Sequence, residues 1–282
     1  MEYDGKNIII SLEELYNMFI NKYPIFVNFK LKPENIDMVN KYPKLPWDMV
    51  GLSINSDIKI DDIINNLELR WYKSLISRNP NITLKDILDY PELKWNMREL
   101  SDNPNITLKD MFNHPELKWD MQILSMNPNI TLKDVFEHPE IKWDMWGLSQ
   151  NPNITMKDVF EYPELEWNMW GLSQNPNITI KDIIDYPELE WDMLEISLEA
   201  NITIDDVINH PELKWNLFNL MQNHHIKFQD ILEHPELGWD MIHIPRNPNI
   251  TIGDIIEHPE LESDYWGLCR TNITIDDMVK YL

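Results

Sequence analysis

A segment of 24 residues, Asn127 to Gln150, recurs in near-copy along most of this 282-residue chain and constrains its fold more than any other feature. Stepping by 24 from Trp143 lands on Trp47, Trp71, Trp95, Trp119, Trp167, Trp191, Trp215 and Trp239 before the column fails at Ser263. No insertion disturbs that register. A period in this range implies a solenoid, because one unit cannot bury its apolar face alone and must stack on its neighbours.

Within a unit, Thr131 and Asp134 spell a capping box, with Ile130 and Val135 placed as a hydrophobic staple. The spacing predicts a first short helix from Leu132 to about His138, ended by Pro139, which lacks an amide to donate. Pro139-Glu140-Ile141 then reads as one tight turn of 3₁₀ type. The position after the Trp holds Asp48, Asn96, Asp120, Asp144, Asn168, Asp192, Asn216, Asp240 and Asp264, broken only by Tyr72, which is N-cap chemistry. A second helix therefore follows, with Met145, Leu148 and Ser149 as its core stripe, ending at Asn151-Pro152. Helices this short do not persist alone in water, where ~12–15 residues are needed. The fold expected is all-α, an α-solenoid or superhelix of paired short helices, with the Trp column as its spine.

The phase divides the chain into a degenerate N-terminal capping unit over 1–34, a continuous solenoid over 35–270, and a half-unit over 271–282 that caps the other end. Layers ~8–10 Å apart predict an elongated body with a contour of ~100 Å, shortened by a curvature that the sequence does not specify. Ala200 in place of the linker Pro, Asn223-His224-His225 in place of Asn-Pro-Asn, and Pro245 in a second helix predict a bend or looser stacking between 200 and 248. Pro24 to Phe29 departs from the helix pattern and could be extended.

Net charge is −24, which argues against nucleic-acid backbones and anionic membranes as partners. Eleven acids lie in the capping-box column, nine in the Pro-Glu column and six are Asp at second N-caps, so more than half of the 48 acids have a helix-start role. Cys269 stands alone and permits no intrachain disulfide. The eight Asn-Ile-Thr triplets are helix caps rather than glycosylation sites, and Ile8-Ile9-Ile10 is too short for a signal peptide. The expected location is cytoplasmic, or a virion, and not secreted.

Catalytic and cofactor spellings are absent: there is no phosphate-cradling glycine loop, no His-Glu-x-x-His and no Ca²⁺ loop. The expectation is a protein that is not an enzyme, with no cofactor and no metal. The His/Tyr column (Tyr90, His114, His138, Tyr162, Tyr186, His210, His234, His258) is spaced by whole layers, too far for two ligands ~2 Å from one ion. His224-His225 lacks nearby partners for a metal. The informative column follows the Met of the second helix: Val50, Ser74, Arg98, Gln122, then Trp146, Trp170, Leu194, Phe218, Ile242 and Trp266. From Trp146 onward it is an apolar ladder. Either it fills the seam between repeats, with Gly147, Gly171 and Gly267 making room for rings, or it is exposed and binds a protein partner.

The spelling NPNITxKDxxxxPELxWDMxxLS resembles the 24-residue repeat of mimivirus-like giant viruses that infect amoebae, over about residues 35 to 279. That resemblance implies a viral protein but brings no activity or functional residues with it. The linker, period and paired short helices are also similar to the leucine-rich variant repeat, which implies a superhelix alternating α and 3₁₀ helices, although that repeat lacks the Trp column. Together these readings lead us to expect a protein-binding scaffold, or else a particle component that self-associates through its terminal units.

Overall fold

The computed structural model describes residues 11–23, 31–33, 35–199, 201–239, 247, 249–258 and 274–282. Among them every regular element is helical, and the 24-residue unit is seen directly: a first helix, a turn at Pro-Glu-Leu, a Trp, and a second helix. The protein is an all-α solenoid of repeats.

Each first helix begins where the cap chemistry directs. In the helix Leu108–Asn113 the Thr107 hydroxyl accepts from the Asp110 amide while Asp110 accepts from the Thr107 amide at 2.9 Å. The same reciprocal pair opens the helices Leu84–Asp89, Ile180–Asp185, Ile204–Asn209 and Ile275–Tyr281. The helices Leu84–Asp89, Leu108–Asn113, Ile180–Asp185 and Ile204–Asn209 then end on a C-cap residue that directly precedes a Pro. Five of the Pro-Glu-Leu turns are 3₁₀ turns. They finish on a left-handed residue: Lys94, Lys118, Glu166, Lys214 or Gly238. For a non-glycine residue that conformation costs ~1–2 kcal/mol. Four layers accept that cost because the reversal swings the following Trp back onto the helix it has just left. Its indole Nε1 donates to the carbonyl five residues earlier, as in Trp119 to His114 at 3.0 Å and Trp215 to His210 at 2.8 Å.

The Trp column is not the spine. Trp47 and Trp239 are buried, but Trp71, Trp95, Trp119, Trp143, Trp167, Trp191 and Trp215 are only half-buried and pack against the core from its side. The centre is the Ile before each Thr cap (Ile82, Ile106, Ile130, Ile154, Ile178, Ile202, Ile226) together with the second-helix Leu or Ile (Leu100, Leu124, Leu148, Leu172, Ile196, Leu220), nearly all fully buried. A flat indole anchored at its edge by a hydrogen bond lines a wall better than it fills a gap between β-branched and Leu side chains.

Layers are joined by a buried polar ladder running beside this apolar one. The first linker Asn is buried at Asn79, Asn103, Asn127, Asn151, Asn175, Asn223 and Asn247, and its side-chain amide reaches back one layer, as where Asn127 Nδ2 donates to Ser101 O at 2.9 Å and Asn103 O at 3.1 Å. Its Oδ1 accepts from the Asn129 amide. The second Asn repeats the gesture at the surface, Asn129 Nδ2 donating to the carbonyls of Pro104 and Ile106. The buried Ser of the second helix completes the set. Ser125 Oγ donates to Met121 O and accepts from the Asp144 amide of the next layer. Helix-end carbonyls and N-cap amides that would otherwise be orphaned are thus paired between units. At the N-terminal end the substitute is backbone: Leu31 O accepts from the Asp48 amide and Leu31 forms an isolated parallel bridge with Trp47.

Successive second helices approach one another more closely than successive first helices do. The row with the shorter spacing must lie on the inside of a curve, so second helices line the concave face. Approach is closest around the helix Met145–Gln150, which packs between Met121–Met126 and Met169–Leu172. The glycines there make room for backbone rather than for a ring: a Cβ on Gly147 would lie 2.2 Å from Gln122 O, and one on Gly171 2.7 Å from Trp146 O. Gly267 lies outside the described residues. Gly147→Ala forces two packed helices apart and is expected to lower stability by ~1–3 kcal/mol. Urea unfolding checks this, and an unchanged midpoint contradicts it.

The curve returns to its start. The last described helix, Ile275–Tyr281, packs against the first, Leu12–Lys22. Lys22 Nζ donates to Tyr281 O at 2.8 Å and Leu282 O at 3.3 Å, and the Tyr23 hydroxyl donates to Tyr281 O at 3.2 Å. On its other side Ile275–Tyr281 meets the layer before it, since the Tyr281 hydroxyl closes over Gly253. The row of first helices, twelve among the described residues, is therefore closed. Twelve layers ~8–10 Å apart make a ring of ~30–40 Å mean diameter, so the curvature that the sequence leaves unspecified is enough to bring the elongated body back on itself. The segments at Pro24 to Phe29 and at Pro245, and Cys269, lie outside the described residues.

Candidate interaction surface

The sequence places the ladder column one position past the core Met, and the structure puts this column on the concave face. Trp170, Leu194 and Phe218 are exposed at 47%, 53% and 40%. Trp146 is half-buried, with its ring centroid 5.5 Å from that of Trp170. Ile242 and Trp266 lie outside the described residues. The indole Nε1 of Trp146 is buried with no acceptor, as is Gln150 Nε2. Leaving a buried donor unpaired costs ~1–3 kcal/mol, so at this layer aromatic packing has prevailed over the polar pairing kept elsewhere.

A shallow recess of about 460 Å³ opens beside this ladder, lined by Trp170, Glu190, Trp191, Asp192, Leu194 and Lys214 among others. Three neighbouring layers contribute to it. Met169–Leu172 and Met193–Glu199 are not among the closely approaching pairs of second helices, which leaves the gap. Asp192 Oδ1 is engaged as an N-cap, accepting from the amides of Leu194 at 2.9 Å and Glu195 at 3.3 Å. Glu190 is exposed and enters no ion pair among the described residues.

The sequence gives little warning of a second apolar row, on the first helices: Leu88, Phe112, Phe136, Phe160, Ile184 and Ile208 are all exposed at 38% or more. Its signal was the recurrence of a large apolar residue directly after the core-facing Ile, Val or Met. Three of its rings are already used within the chain: Phe112 packs on His138 at 4.8 Å, Phe136 on Tyr162 at 4.9 Å and Phe160 on Tyr186 at 4.6 Å. This outer row braces one layer on the next.

The His column is engaged with its own turns. His114, His138, His210 and His234 each meet the Glu two residues on at 2.9–3.1 Å through Nδ1. The Glu236 carboxyl is held below its ordinary value, first by the hydrogen bond with His234 and then by a backbone amide. The rings of His224 and His225 lie 3.9 Å apart. Among the described residues no group of three or more His, Cys, Asp or Glu is placed to hold a metal ion, and no helix is long and apolar enough to cross a membrane.

Fold and surface together define a closed α-solenoid with a partly aromatic concave face. Compared with protein-family models, curated proteins and solved structures, the chain finds no match.

Proposed function

We propose that this protein is a non-enzymatic scaffold that binds a protein partner on its concave face through Trp170, Leu194 and Phe218. The observation that carries the reading is that three large apolar side chains on successive layers are 40–53% exposed, and no described ring contact engages Trp170 beyond its neighbour in the ladder. Trp and Phe are typical anchors of protein interfaces, and clustered exposed apolar side chains mark interaction sites. In keeping with the likeness to the viral repeat, our reading sets this scaffold in the cytosol of an infected cell or in a virion. Assembly through free terminal units has less support, because the helices Leu12–Lys22 and Ile275–Tyr281 are packed on each other.

The test compares partner capture from infected-cell lysate by the wild type, by a Trp170→Ala/Leu194→Ala/Phe218→Ala variant and by a Phe112→Ala/Phe136→Ala/Phe160→Ala variant, each first checked by circular dichroism. The concave variant is expected to keep its helices and lose specific partners. Retention of every partner by the concave variant, with loss by the outer one, moves the binding face to the first helices and defeats the proposal.

A further inference from the structure

The recess beside Trp170 differs in charge from the equivalent place three layers earlier, and that difference says what it could hold. In the earlier layer the ladder residue is Arg98, whose Nη1 lies 3.2 Å from Oδ2 of Asp120, the N-cap of the next layer. Asp120 Oδ1 meanwhile caps its helix by accepting from the Ile123 amide. One carboxylate thus serves a helix and a guanidinium at once. Lys118 stands two residues before Asp120.

At the recess the corresponding residues are Trp170, Glu190 and Asp192. The guanidinium has become an exposed indole, the lysine a glutamate, and the N-cap carboxylate remains. Asp192 again uses Oδ1 for its helix, and no described contact uses Oδ2. Where the chain supplies its own cation to one layer, it offers two carboxylates and an aromatic face to the other. Lys214 on the far rim leaves the lining with an excess of negative charge.

Resting on the scaffold reading above, we propose that the recess formed by Trp170, Glu190, Asp192 and Trp215 receives an arginine side chain from a basic segment of the protein partner. The guanidinium would lie over the Trp170 ring and pair with Asp192 Oδ2, as Arg98 pairs with Asp120. A planar cation that both stacks and donates in a fork suits this site better than an ammonium does. Glu190 adds the second carboxylate that Lys118 denies to the earlier layer.

The probe is an acetylated peptide alternating arginine and glycine, against its citrulline counterpart, which keeps the planar shape but loses the charge and exchanges one donor NH₂ for an acceptor oxygen. Binding to the full chain is followed through the indole N–H signals of ¹⁵N-Trp-labelled protein, in ~0.15 M salt to screen the long-range field of an acidic molecule. The arginine peptide is expected to move the Trp170 signal saturably, and the citrulline peptide is not. Glu190→Lys should raise Kd about tenfold by reversing a charge within the recess. That variant carries the residue found at Lys142, where Trp143 N bonds to Ile141 O as Trp191 N does to Leu189 O. Glu212→Lys makes the same charge change outside the recess and should leave Kd nearly unaltered, whereas Lys214→Glu should lower it. Equal weakening by Glu190→Lys and Glu212→Lys would mean attraction to net charge alone, and overturns the proposal. So does equal binding of the citrulline peptide, or a Trp170 signal that stays still. If partner capture still depends on Trp170, Leu194 and Phe218 while the arginine peptide fails, the scaffold reading survives and only the arginine site falls.

Discussion

Asn127→Leu is expected to destabilise the protein by ~3–6 kcal/mol, although it replaces a polar residue in a fully buried position with an apolar one of similar size. Asn127 is 0% exposed and holds three backbone groups: the carbonyls of Ser101 and Asn103 and the amide of Asn129. A leucine satisfies none of them. Each buried group left without a partner costs ~1–3 kcal/mol, and the three lost together outweigh the ~1.5–3 kcal/mol that burying a leucine side chain returns. Total stabilities of ~5–15 kcal/mol are usual, so the loss is a large fraction of the whole. Because stability in a solenoid is passed between neighbours, a break in a middle layer should also separate the unfolding of the two flanks. Urea titration followed by Trp fluorescence would show a lower first midpoint and a second transition. Asn129→Ala is the comparison: Asn129 is exposed, water can replace its amide, and ~1 kcal/mol is expected. Equal costs for the two variants would mean that burial of the ladder is not what matters.

Met278→Asp is expected to open the ring. Met278 is fully buried in the helix Ile275–Tyr281, the layer that joins the chain's two ends. An unpaired carboxylate in that place costs several kcal/mol, ~3–5 by analogy with broken buried pairs. The layer is held by its own capping box, by one helix contact on each side, and by exposed or half-buried hydrogen bonds from Lys22 and Tyr23. Those do not offset such a penalty. Small-angle scattering should report a larger radius of gyration, toward that of an arc with a contour of ~100 Å. Far-UV circular dichroism should change little, since the other layers keep their neighbours. A radius of gyration identical to that of the wild type would show that closure does not depend on this helix.

The fate of the ladder column shows where reading the sequence stops. Position 170 is one residue past the core Met, and helical geometry alone leaves such a side chain on a flank. Whether a flank is covered depends on how near the next layer comes. At Trp146 the layers are close and the ring is half-buried; at Trp170 and Leu194 they leave a recess. Gly147 and Gly171 are visible as glycines in the sequence, but it takes coordinates to see that a backbone carbonyl of the preceding helix occupies the space a Cβ would need. The Trp column misleads in the opposite direction. Regular recurrence of the largest apolar residue suggests a core, yet most of these indoles serve as half-exposed walls tied to a carbonyl.

What the sequence determined by itself was everything decided within about six residues of chain: Thr–Asp capping boxes, Pro stops, Asp or Asn second caps, and the 24-residue period that makes stacking obligatory. These are local because a cap or a stop is a contact between a residue and the backbone next to it. The tertiary structure alone decided which Asn and Ser bridge layers, which helix row faces inward, which aromatics stay exposed, and that Leu12–Lys22 meets Ile275–Tyr281. Each of those depends on small differences in spacing between helices at least 19 residues apart, and some on their sum around the whole ring. A sequence period fixes the number of layers but not the angle between them.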